Sequence, residues 1–171
     1  MVTRRRLAWL RITAWVVDWL CILVLAVMLV PIGLVVHGLE LPVWALNLGS
    51  FLLLVLPATL WLAWRESARG ATPGKRLRGL MVVSARTGRQ VSFRRALARN
   101  ALKVTVPWEL GHTVAYGFAT EADPGAWLIV VSIVLYAVVL VWIAGLFARV
   151  SPYDALAGTR VVLTSGDQNI S

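Results

Sequence analysis

Three stretches, Ile12 to Val36, Trp44 to Trp64 and Ala126 to Ala148, are almost unbroken runs of apolar residues. Each is long enough for the hydrocarbon core of a bilayer, which takes about 20 helical residues. The second and third hold no charged residue, and the first holds only Asp18. A fourth stretch, Val104 to Thr120, has a different pattern. At about 100° per residue, Thr105, Glu109, His112, Thr113, Tyr116 and Thr120 fall within one arc of about 100°, and Leu110, Val114 and Phe118 fall opposite. An ionisable stripe at membrane depth is costly, so it must face protein or water, and it is a candidate functional face. The pattern predicts an all-α membrane protein in one domain over residues 1–171. It is a four-helix transmembrane bundle with spans over 12–36, 44–64, 104–120 and 126–148, a cytoplasmic loop over 65–103 and a cytoplasmic tail over 149–171.

The third span is short and carries Pro107 and Glu109. An alternative is an amphipathic helix lying at the interface, with Arg94, Arg95, Arg99 and Lys103 on lipid phosphates. Charge placement favours the span. If 104–120 crosses, all 17 Lys and Arg residues lie on one side, and the opposite loops carry Glu40, Glu121 and Asp123. The positive-inside rule makes the basic side cytoplasmic. The expectation is a multi-pass protein of the cell membrane with both termini in the cytoplasm.

The net charge of +9 therefore reads as topology, and no nucleic-acid partner is expected. With 59% hydrophobic and 15% charged residues, the chain has too little polar surface for a soluble globule of its size. Arg4 to Arg6 before an apolar run resemble a signal peptide, but the run is too long and lacks a small-residue cleavage site. It reads as a retained helix. The single cysteine, Cys21, excludes an intramolecular disulfide.

Between the second and third spans, Gly70, Pro73, Gly74, Gly79 and Gly88 break up any helical pattern from Arg65 to Val91. Leu80 to Ser84 and Thr159 to Thr164 read as short strands, with a turn at Gly88 leading into Gln90 to Phe93. A cytoplasmic β-hairpin is expected, or a three-stranded element in which the C-terminal strand joins it. Gly70, Gly74 and Lys75 superficially suggest a phosphate loop, but the glycine spacing is one residue short and Arg76 stands where Ser or Thr would bind magnesium.

Arg11 and Asp18 in the first helix, the segment Thr72, Gly74 and Lys75, and the closing segment Asp154, Gly158 and Thr159 resemble the RDD family of prokaryotic membrane proteins. Gly79, Val82, Val83, Gly88, Arg94 to Arg99 and Val161 extend the likeness over nearly the whole chain. Where the family often has His before its second Asp, this chain has Tyr153. The family is largely of unknown function, with transport proposed for it.

Two readings of the polar residues stay open. Asp18 is either neutralised by an Arg of the basic loop, locking the bundle, or is a proton- or cation-binding carboxylate. Glu109 and His112, three residues apart, either relay a proton, with Tyr116 beside them, or make a satisfied contact between helices. That spacing occurs in di-iron bundles, but the second Glu-x-x-His is missing, so no metal is expected. Asp154 is expected to cap a short helix through Leu156 or to hold Lys75 or Arg149. With no nucleophile triad and no cofactor fingerprint, the chain is not expected to be an enzyme or to carry a cofactor. The functional expectation is a small transporter of cations or protons, acting as a homo-oligomer packed through Gly111, Ala115 and Ala119. The alternative is a non-catalytic scaffold or regulator whose basic loop binds anionic headgroups or a partner.

Overall fold

The computed structural model describes residues 4–39, 41–120, 125–148 and 150–164. The loop acids Glu40, Glu121 and Asp123, and also Arg149, lie outside the described residues. Helix α1 covers Arg4–His37. Helices α2 (Val43–Ser50) and α3 (Leu56–Arg69) are joined by one widened π-turn, Phe51–Val55. After the short α4 (Pro73–Leu77) and strand β1 (Leu80–Ser84), α5 (Phe93–Asn100) runs through a second π-turn, Ala101–Thr105, into α6 (Val106–Thr120). Helices α7 (Ala126–Phe147) and α8 (Pro152–Ala157) and strand β2 (Thr159–Leu163) complete the fold. The segments Arg5–Val36, Val43–Arg69 and Ala126–Phe147 are long and apolar enough to cross a membrane.

Both π-turns have the same cause. Pro57 and Pro107 each stand two residues past the widened turn. Proline lacks an N–H and its ring crowds the carbonyl four residues back, so the ladder opens there. The Leu102 carbonyl within the second opening accepts a 3.0 Å bond from the Trp142 indole on α7.

The sequence reading is corrected in two places. Arg65 to Arg69 continue α3, and Pro73 to Leu77 are helical, so the loop is shorter than the glycine pattern implies. The chain leaves α3 at Gly70, whose φ of 72° ends the helix in the left-handed region. The expected hairpin is also reduced to a single bridge, Val83 to Gln90, because α5 begins at Phe93. The sheet is instead formed by β1 and β2, antiparallel, with Val82 opposite Val161. Its inner face, Leu80, Val82 and Val161, packs with Ala14 of α1, Ala63 of α3, Ala96 of α5 and Val91. Distant parts of the chain thus close one core at one end of the helices. Toward the other end, α1 and α7 expose large apolar side chains such as Met28, Leu34 and Ile133, as lipid-facing helices do.

Candidate functional site

The ends of α1, α3, α5 and α8 and the whole of α4 converge on a buried ionic cluster. Arg11 projects from α1 and donates to Asp154 Oδ2 at 2.8 Å and to Ser151 Oγ at 2.9 Å. Arg99 of α5 bridges two carboxylates, donating from Nε to Asp154 Oδ1 at 2.5 Å and from Nη1 to Glu66 Oε1 at 2.6 Å. Lys75 donates to the same Glu66 oxygen at 2.8 Å, and Asn100 donates to Glu66 Oε2 at 2.8 Å. Glu66, Asp154 and Asn100 are completely buried. Such charges are tolerable only because every carboxylate oxygen has a donor. Burial by itself would raise the Asp154 carboxyl, but Arg99 and Arg11, with a bond from Thr159, hold it below its ordinary value. Arg99 is likewise held above its ordinary value by Asp154 and Glu66 against the effect of burial.

Asp18 belongs to the same cluster through α4. Thr72 Oγ1 donates to its Oδ2 at 2.7 Å, and the Gly74 N–H donates to its Oδ1 at 2.9 Å. The Lys75 ammonium stands 3.9 Å away. The Thr-x-Gly-Lys spacing now has a physical explanation. Thr72 is the N-cap of α4, accepting from the Lys75 N–H while its hydroxyl proton serves Asp18. Gly74 is required by proximity: a Cβ there would lie 1.9 Å from the Ala14 carbonyl oxygen on α1. Lys75 then reaches back between Asp18 and Glu66. Gly158, with φ 63°, ends α8 and turns the chain so that Thr159 Oγ1 donates to Asp154 Oδ1 at 3.0 Å.

Arg11, Asp18, Thr72, Lys75, Asp154 and Thr159 are therefore one assembly. Two expectations are corrected. Asp154 does not cap α8; it lies in the first turn behind Ser151 and holds Arg11 and Arg99, while Lys75 goes to Glu66. Asp18 is held by Thr72 and the Gly74 N–H with the Lys75 ammonium nearby, and not by an Arg of the loop. Glu66, Arg99 and Asn100 were missed as cluster members. The available signal was Glu66, the single acidic residue among the basic residues of 65–103.

Glu109, His112 and Tyr116 lie apart from this cluster, on α6, which packs on α2. Asn47 Nδ2 donates to Glu109 Oε2 at 3.5 Å. Ser50 Oγ lies 3.2 Å from His112 Nδ1, which also accepts from the Trp108 indole at 3.1 Å. Indole can only donate, so Nδ1 is the acceptor and a neutral His112 carries its proton on Nε2. The Trp19 ring stacks on Trp108, and Tyr116 lies against His112. Further along the same face, Thr105 pairs with Thr59 of α3 at 2.9 Å. The partners Asn47, Ser50 and Thr59 were missed because each is a lone small polar residue in an apolar run. Glu109 Oε1 and Asn47 Oδ1 are buried and have no hydrogen-bond partner among the described residues. A Cβ on Gly111 would meet only open space, whereas Gly117 packs directly on Leu128 of α7.

The RDD family model matches residues 5–158, most of the chain. The chain belongs to the RDD family. The match spans the α1 Arg and Asp, the α4 segment and Asp154, so every charged residue of the ionic cluster lies within the RDD region, and Thr159 stands just past its end. No curated protein and no solved structure matches this RDD protein.

Proposed function

We propose that this protein is a four-span protein of the cell membrane, with both termini cytoplasmic, that moves protons or small cations as an oligomer, with Glu109 as the group that takes the ion. The observation that carries this reading is the pair of acceptor oxygens, Glu109 Oε1 and Asn47 Oδ1, that have no partner among the described residues, on side chains that already touch. Two buried acceptors with no donor are an expensive arrangement unless a proton or a cation joins them. Asp18, by contrast, has donors on both oxygens, which favours the structural reading of that carboxylate. Four spans give little room for a path within one chain, so the reading includes a homo-oligomer, for which the open surface at Gly111 is suited.

In proteoliposomes, wild-type protein should dissipate an imposed proton or cation gradient. Glu109→Gln should lower that flux at least about tenfold while melting like wild type, since it keeps shape and loses only the titrating charge. His112→Gln should move the pH dependence of flux. Absence of flux under every proton, sodium and potassium gradient would leave the scaffold reading. Arg76, Arg78, Arg86, Arg89, Arg94 and Arg95 support that second reading, because they are all exposed and can meet anionic headgroups.

The topology has its own test. In a Cys21→Ser background, Leu41→Cys and Gly125→Cys should react with an impermeant maleimide on intact cells, and Arg86→Cys only after permeabilisation. Labelling of Gly125→Cys only from the cytoplasm would mean that 106–120 does not cross.

A further inference from the structure

Between the ionic cluster and the second π-turn lies a cavity of about 20 Å3, lined by Arg11, Lys75, Arg99 and Lys103 together with Trp15 and Tyr153. Its charged lining is entirely cationic. The carboxylates of the cluster stand behind these cations with all their oxygens in use. Asp18 is taken by Thr72 and Gly74, Glu66 by Lys75, Arg99 and Asn100, and Asp154 by Arg11, Arg99 and Thr159. Nothing remains for Lys103, which forms no ion pair among the described residues. Four cations thus share three carboxylates, and the surplus positive charge sits on the cavity wall.

We propose that this cavity binds one anionic atom, either a chloride-sized ion or a single phosphate oxygen of a lipid headgroup, held by Lys103 with Arg11 and Arg99. The volume suits this choice: a water-sized particle needs about 10–15 Å3, so the cavity takes one atom of that class and not a whole phosphate group. The anion supplies the missing negative charge in a setting where attraction is weakly screened.

The groups around Lys103 are Arg11 and Asp18 from α1, Glu66 from α3, Lys75 from α4, Arg99 from α5, and Tyr153 and Asp154 from α8. Burial, then repulsion from Lys75 and Arg99, draws the Lys103 ammonium down to about 7 against the pull of Asp18 and Glu66. An anion binds the protonated form. Affinity is therefore highest below pH 7 and falls as pH rises through the folded value.

The test is the melting temperature of the full chain in nanodiscs. Phosphatidylcholine discs are compared in sodium chloride and in sodium gluconate of equal ionic strength, and phosphatidylglycerol-containing discs in gluconate, at pH 6 and pH 8.5. The expected result at pH 6 is a rise of about 2–4 °C with chloride or with phosphatidylglycerol, falling to less than about half at pH 8.5. A rise with chloride identifies a free ion; a rise only with phosphatidylglycerol identifies the lipid oxygen. Lys103→Met should melt no lower than wild type in gluconate, since it removes the surplus charge, and should lose the shift. Identical melting of wild type in all three conditions, or a full shift retained by Lys103→Met, overturns the proposal.

Discussion

Glu66→Gln is expected to destabilise the protein by about 3–5 kcal/mol, a fall in melting temperature of roughly 10 °C or more. The large effect follows from what the substitution leaves behind. Glu66 is completely buried and neutralises Arg99 and Lys75 at 2.6 and 2.8 Å. Gln matches its size, and its carbonyl oxygen can still accept from Arg99 and Lys75, so the main loss is one of charge. Removing a cation alongside should recover part of it: Glu66→Gln combined with Lys75→Met should melt well above the single variant. Thermal melts of the purified protein decide the matter, and a single variant melting within about 2 °C of wild type would show that the cluster is not a stabilising network. Asp154 gives the same network an acid sensitivity. Its folded value is depressed, so its contribution is present above the ordinary carboxylate pKa of about 4 and is lost as pH falls through the lower folded value.

Gly74→Ala should have an effect of similar size, about 3–5 kcal/mol, by a different route. A Cβ at this position meets the Ala14 carbonyl oxygen at 1.9 Å and Asp18 Oδ1 at 2.9 Å. The closer obstacle is backbone and cannot rotate away. Helices α1 and α4 must separate, and Asp18 loses the Gly74 N–H and loosens its hold on Thr72. Because the clash is with a main-chain atom, Ala14→Gly should give no rescue. Gly33→Ala and Gly49→Ala, where a Cβ meets nothing within 4 Å, serve as controls and should change stability by less than about 1 kcal/mol. The measurement is accumulation in the membrane together with the melt of whatever is purified. Gly74→Ala behaving like Gly33→Ala would remove the steric account of the Thr-x-Gly-Lys segment.

Local pattern alone determined much of this protein. The apolar runs give the membrane class and the positions of α1, α2–α3 and α7, because a helix in lipid must satisfy its own backbone and show apolar side chains. Periodicity gave the polar face of α6, and β-branched runs gave β1 and β2. Short motifs singled out Arg11, Asp18, Thr72, Gly74, Lys75, Asp154, Gly158 and Thr159. Only the tertiary structure decided how these residues pair. Arg11 and Asp18, seven residues apart on one helix, are bound to partners 143 and 56 residues away. The pairing of β1 with β2, rather than a hairpin, brings the C-terminal segment against the residues that follow α3. Charge sign and sequence spacing carry no information about which of 17 basic residues reaches which carboxylate. That choice depends on the chain directions at Gly70 and Gly158, on the close approach at Gly74, and on the energetic penalty for leaving any buried charge without a partner.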